Sequence, residues 1–218
     1  MPRFTDLPLH TPRLRLRPPR PGDADALFAI HADPQAMRYW STPPWTTPQQ
    51  AVERIEADLA WLEEGSSLRL MLEPLQPLQA PQPTQPAQPA QPVPPAQPAQ
   101  PIIGSVSLFQ FDTSSQRAEI GYILAPAAWG RGLMHEALAA LVALAFERLD
   151  LRRLEADVDP RNARSAHTLE RLGFRQEGLL RERWVVDGEV SDSALFGLLA
   201  REWRLRADAA RTADGPVP

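Results

Sequence analysis

EIGYILAPAAWGRGLMHEA, from Glu119 to Ala137, is the stretch on which the reading of this chain turns. An apolar strand-like run, Ala118 to Leu124, passes through a short loop containing Gly130 and Gly132 into the amino end of a long helical pattern. The unpaired N–H groups of a helix start, together with its dipole, suit a phosphate or pyrophosphate. Glycine lets the backbone approach the anion with no Cβ in the way. By itself the Gly-x-Gly pattern fits a plain turn and cap equally well, and it lacks the further glycine and later acidic residue of a dinucleotide-binding fingerprint.

Working outward from this stretch, Gly132 to Asp150 carries a 3.6-residue period, with Met134, Ala137, Leu138, Leu141, Ala145 and Leu149 on one face. Leu154 to Val158 reads as a strand, and Arg164 to Leu172 as a short helix stopped by Gly173. Leu179 to Val186 and Ala194 to Leu199 supply closing strands. Upstream, Arg13 to Arg17 alternates charged and apolar residues, as an edge strand with a charged outer face would. Asp23 stands as a cap before Ala24, Leu27, Phe28 and Ile30. A second helix runs from Thr47 or Pro48 to Glu64, its apolar face made of Ala51, Ile55, Leu59 and Leu62. Ser66 to Leu72 and Ile102 to Phe111 are strands. The order predicts an α/β domain, a mixed central sheet flanked by helices, over residues 9–205, with a flexible tail over 206–218.

Proline breaks this pattern in one place. Eleven of the 25 prolines lie between Pro74 and Pro101, alternating with glutamine and alanine. Such a run removes backbone donors and offers little to bury, so it reads as a disordered, polyproline-II-like insertion in a surface loop. A docking element for a proline-recognising partner is the sharper alternative.

Composition narrows the function classes. Cysteine is absent, which removes disulfides, thiolate nucleophiles and cysteine-ligated zinc. Four histidines with scattered carboxylates show no ligand spacing, so no metal is expected. The net charge of −4 argues against general nucleic-acid binding and favours a cationic substrate. The opening MPRFTDLPLH has no apolar core of signal-peptide length, and no run is long enough to span a membrane, so a cytoplasmic location is expected.

DPRNARSAHTLERLGF, Asp159 to Phe174, supplies a second constellation. Together with WGRGLM, Trp129 to Met134, it resembles the signature motifs of the GNAT superfamily, in particular its ribosomal-protein N-terminal acetyltransferase (RimJ/RimL-like) branch. The front segment from Thr11 to Trp40 and the closing EGLLRERWVVDGEVSDSALFGLLAREW are also similar to that branch, so that the resemblance runs from Leu9 to Trp203 except for the Pro/Gln tract. The resemblance implies a single GNAT-like domain that moves an acetyl group from acetyl-CoA to a primary amine. The acceptor would be a protein N-terminus or a small amine, attacked directly without an acyl-enzyme, and the assembly a monomer or homodimer. A lapsed acyl-CoA-binding scaffold, with the Pro/Gln tract recruiting a partner, is the alternative.

Carried over position by position, the resemblance places the pyrophosphate on Trp129, Gly130, Arg131, Gly132, Leu133 and Met134. Trp129 and Met134 depart from the glutamine or arginine and the small residue usual at those ends of the loop. Ile123 and Leu124 would offer backbone groups to the pantetheine arm. Asn162 is either a helix cap or a contact to that arm, and the two readings are compatible. Ser165 would be the acid for the departing thiolate, because the tyrosine that many relatives use is replaced here by Leu169. Attack by an ammonium requires a base. Glu119 is the candidate, against the plainer reading of a strand-end carboxylate paired with Arg117. Glu136 is the runner-up, while His135 and His167 read as surface residues.

Overall fold

The computed structural model describes residues 4–5, 7–78 and 100–213. The alternating runs become eight strands, β1 (Leu9–His10), β2 (Leu14–Arg17), β3 (Leu68–Pro74), β4 (Gly104–Asp112), β5 (Arg117–Leu124), β6 (Arg153–Val158), β7 (Arg175–Val186) and β8 (Glu189–Leu199). They form one twisted sheet in the order β1-β2-β3-β4-β5-β6-β8-β7, antiparallel throughout except between β5 and β6. The helical segments become α1 (Ala24–His31), α3 (Gln49–Glu64), α4 (Leu133–Ala143) and α5 (Ala163–Leu172), and two helices not read from the sequence join them, α2 (Pro34–Met37) and α6 (Ala200–Ala213). The expected mixed sheet flanked by helices is thus the fold.

Strand alternation assigns each side chain to a face. Leu14, Leu16, Leu70, Leu72, Val106, Leu108, Ala118 and Ile120 bury against Ala137, Leu138 and Leu141 of α4 in the main core. The opposite face is covered by α1 and α3, where Leu27, Ala51 and Ile55 meet Met71. Ile30 and Met37 pack on Ile123 of the same face.

Several sequence expectations are corrected. β2 is not the edge strand, because β1 pairs outside it. Its supposed outer face is partly covered, and Arg17 is only 4% exposed. Burial of that cation is compensated by Asp23, at 2.8 and 2.7 Å, and by Glu73, at 2.7 Å. Asp23 therefore does not cap α1; its carboxylate accepts from the Arg20 N–H and from Arg17 instead. On α3 the buried residue after Ile55 is Asp58, and Leu59 is exposed, because Arg69 of β3 stands across from the helix and takes the carboxylate as its partner. The expected tail at 206–218 is helical as far as Ala213. Trp203 packs on Phe146, ring centroids 5.6 Å apart, and Arg204 donates to the Phe146 carbonyl, which anchors α6 to the domain.

Most of the Pro74–Pro101 tract, residues 79–99, lies outside the described residues. Its ends sit where the sequence expected them, between antiparallel neighbours β3 and β4. Pro74 itself belongs to β3, opposite Leu14.

Candidate active site

β5 and β6 run parallel but remain paired only at Arg117↔Arg153, Ala118↔Leu154 and Glu119↔Glu155. Beyond Glu119, β5 continues to Leu124 with β4 on its other side, while β6 continues to Val158 bonded to β8. Two central strands therefore part inside the sheet, and the edges facing the gap offer backbone groups that an extended ligand can use. Ile123 and Leu124 lie on β5 beyond its last pair with β6. The Leu124 carbonyl is already engaged by the Trp129 indole, whose Nε1–H donates to it at 2.7 Å.

That bond folds the following loop back on the strand. Gly130 and Gly132 both adopt φ +74°, a left-handed conformation that costs an L-residue about 1–2 kcal/mol. Gly132 begins α4 with no side-chain cap, so the first-turn amides of Leu133, Met134 and His135 are left to an anion. These features fit the pyrophosphate of a CoA thioester. Arg131 contributes its carbonyl, which accepts from the Arg13 guanidinium at 2.8 Å. Arg164 of α5 lies over the Trp129 ring at 5.2 Å, packing the loop against the next helix.

Glu136 is occupied elsewhere. Thr11 donates to it at 2.6 Å, the Arg13 N–H at 2.9 Å and the Arg13 guanidinium at 2.6 Å. Burial alone would raise its pKa, but these donors outweigh it and hold the carboxyl below its ordinary value. This residue clips the loop to the first hairpin. His167 is exposed as expected. His135 differs from a surface residue: it is half-buried, and its buried Nδ1 has no partner.

Glu119 sits where the strands part. Neither a hydrogen bond nor an ion pair joins its carboxylate among the described residues. Arg117, its expected partner, instead binds Glu155 at 2.7 Å and approaches Asp112. Burial, reinforced by Asp157 and Glu155, pushes the Glu119 carboxyl up to about 7. Glu155 is held low by Arg153 and Arg117 despite its burial. Asp157 is bound by Ser193 and by Arg183 at 3.1 Å.

Asn162 caps α5, its Oδ1 accepting from the Ser165 N–H at 3.1 Å, so the capping reading holds. Ser165 Oγ in turn lies 2.5 Å from the Tyr122 hydroxyl. Burial, only partly offset by that bond, pushes the tyrosine up to about 12 and keeps it neutral. Leu169, at the position where relatives carry a tyrosine, is buried in the core. Tyr122 went unassigned in the sequence although it lies within the deciding motif. Its place on an even-numbered β5 position, facing the helices, was the available signal.

A further feature was absent from the sequence reading. His31, Trp40, Trp45, Arg54 and Arg69 line an open cavity of about 750 Å³ on the α1–α3 face. Trp40 also packs against the cluster of Ile30, Met37 and Ile123.

The sequence matches the acetyltransferase (GNAT) domain family over residues 13–175. It is 32% identical over 195 residues to the "uncharacterized N-acetyltransferase p20" of Bacillus licheniformis, covering 89% of this chain and 97% of that one. It is 34% identical over 84 residues to the [ribosomal protein uS5]-alanine N-acetyltransferase of Escherichia coli, covering 38% of this chain and 43% of the relative. The spermidine N-acetyltransferase of Vibrio cholerae, solved with CoA and spermine, superposes with a TM-score of 0.71 at 21% identity, covering 89% of this chain and 99% of that one. No described helix is long and apolar enough to cross a membrane. The parted strands, the left-handed Gly130 and Gly132 and the match over residues 13–175 lead to one conclusion: this chain belongs to the GNAT acetyltransferase family, whose members are acetyl-CoA-dependent enzymes.

Proposed function

We propose that this chain acetylates a primary amine by direct attack on acetyl-CoA, with Glu119 as the base and Ser165 as the acid. The observation that carries the reading is Glu119 itself: an unpaired carboxylate, raised to about 7, at the point where β5 and β6 part. A carboxyl tuned near neutral pH both accepts a proton and releases it again, as a general base must.

The two faces of the sheet divide the work. Glu119 shares the α1–α3 face with Ile123, whereas Tyr122 and Ser165 meet on the α4–α5 face. An acceptor amine approaching over the first face loses its proton to Glu119, directly or through water. Its nitrogen forms the C–N bond to the acetyl carbonyl carbon as the C–S bond breaks. Ser165, on the other face, donates toward the departing sulfur and takes a proton back from solvent through the Tyr122 hydroxyl, which stays neutral, while Glu119 releases the amine proton to solvent. Acetyl-CoA supplies the activated acyl group. Gly130 to Met134 hold its pyrophosphate, and Ile123, Leu124 and Asn162 hold its pantetheine arm.

The acceptor is a protein N-terminal α-amine or a small amine, in a cytoplasmic, RimJ/RimL-like setting. Resemblance in the motifs and the partial match to a ribosomal-protein N-acetyltransferase support this placement. Thiol release from acetyl-CoA in the presence of an amine panel tests the proposal. Acetyl-CoA binding with no turnover of any amine would refute it.

A further inference from the structure

We infer that the cavity beneath His31, Trp40 and Trp45 receives an oxyanion carried by the acceptor, so that the amine acetylated here also bears a carboxylate or a phosphate. The inference rests on the acetyltransferase reading above and names its acceptor class.

Charge is the first ground. Arg54 and Arg69 both bind Asp58, at 3.0 and 2.7 Å, so two guanidinium groups share one carboxylate and one positive charge is left over at the cavity wall. Arg69 is held by Asp58 and donates to Ser105 at 3.1 Å, which fixes its buried guanidinium at the wall. Among the described residues lining the cavity, the one carboxylate is Asp187, which stands on the exposed rim.

His31 is the second ground. It is 4% exposed, lines the cavity, and its Nε2 has no partner. Its ring stacks on Trp45, centroids 4.2 Å apart, and meets Trp40 edge-on at 5.5 Å. Burial, then Arg69 and Arg54, push its pKa down to about 3, so it adds a neutral donor rather than a second cation. The tryptophans and prolines of the 40–45 segment give the remaining wall an apolar surface. A volume of about 750 Å³ suits a small molecule.

Placement is the third. Arg69 is in register with Ser107, and Ser107 with Gly121, two residues from Glu119 on the same face. Strand spacing and rise put the Arg69 and Glu119 Cα atoms roughly 12 Å apart, and the Arg69 guanidinium, which donates to Ser105 at 3.1 Å, turns toward the Ile123 end of β5, so the acceptor spans the interval. An amine at Glu119 and an oxyanion at Arg69, Arg54 and His31 is a bipolar acceptor. A polycation has no favourable seat beside the arginines.

Paired acceptors that differ only in the anion test this with the full chain: δ-aminovalerate against its amide, and phosphoethanolamine against ethanolamine, with spermidine as a polycation. The anionic member of at least one pair is expected to show about tenfold or greater kcat/KM, as a charge-assisted bond to arginine provides. Which pair responds identifies carboxylate or phosphate. Arg54→Gln and His31→Phe, their folding checked by melting temperature, should bring that ratio close to one. Calorimetry with pentanoate and ethyl phosphate, which lack an amine, reads the anion site without catalysis. Equal or faster turnover of the neutral partners or of spermidine, or no heat with either probe, overturns the inference and leaves the acetyltransferase reading standing. Probe binding without turnover of any amine overturns the acceptor assignment through failure of the catalytic reading.

Discussion

The Tyr122 hydroxyl and Ser165 Oγ share a hydrogen bond of 2.5 Å across the boundary between β5 and α5. Because thiolate is a fair leaving group, Ser165→Ala is expected to lower kcat by about tenfold, below the 10²–10⁴-fold typical of acid–base groups. Tyr122→Phe should cost less, and the double variant no more than Ser165→Ala alone, because the tyrosine acts through the serine. Independent, multiplying losses in single-turnover thiol release would show that the pair does not work as a unit.

The Glu119 carboxyl, raised to about 7, predicts a kcat/KM that climbs through neutral pH as the base ionises. Glu119→Gln should flatten that limb and lower the rate at its plateau by about 10²-fold or more. A pH–rate profile with the same limb in the variant would assign the ionisation elsewhere.

The same shift has a consequence for stability. A carboxyl raised on folding stabilises the native state fully below its unfolded pKa, and that contribution is lost as pH rises through the folded value of about 7. Glu119→Gln should therefore melt higher than the parent chain at pH 8, and the difference should shrink toward pH 5. Allowing for the carboxyl's partial exposure, the gain is about 1 kcal/mol, or roughly 2–4 °C for a chain of this size. Parallel melting curves across that range would contradict the shift.

Gly130 has open space where a Cβ would stand, so its left-handed φ is its whole constraint. Gly130→Ala is expected to cost about 1–2 kcal/mol locally and to weaken acetyl-CoA binding as the loop relaxes. Calorimetry on the folded variant checks this; unchanged affinity would remove the loop from the pyrophosphate site.

Glu136 binds Thr11 and Arg13 rather than facing the gap. Glu136→Gln should raise the KM for acetyl-CoA a few-fold by loosening the loop, with the pH profile unmoved. A lost basic limb would reinstate it as the base.

Much of this protein was legible in its sequence, because local rules act over a few residues. The 3.6-residue period of α4 as far as Ala143, the glycines ahead of it, the Asn162 cap and the β5 strand each depend on near neighbours, and the structure keeps them, while Leu144 to Arg148, read as more of the same helix, widens into a π turn. Corrections came where a distant partner decided. Arg17 read as part of a charged outer face and Leu59 as part of the α3 apolar face until Asp23 and Glu73 were brought against Arg17 and Arg69 against Asp58, and charge is buried only where its partner is built in. Tyr122 met Ser165 across 43 positions of chain. His31, Trp40, Trp45 and Arg69 came together from a helix, a loop and a strand that no motif links. The sequence by itself determined the elements, the cofactor loop and the candidate base. Only the tertiary structure decided which carboxylate stays unpaired, where β5 and β6 part and what lines the acceptor cavity, because burial, proximity and the resulting pKa shifts belong to the packed chain and not to any segment of it.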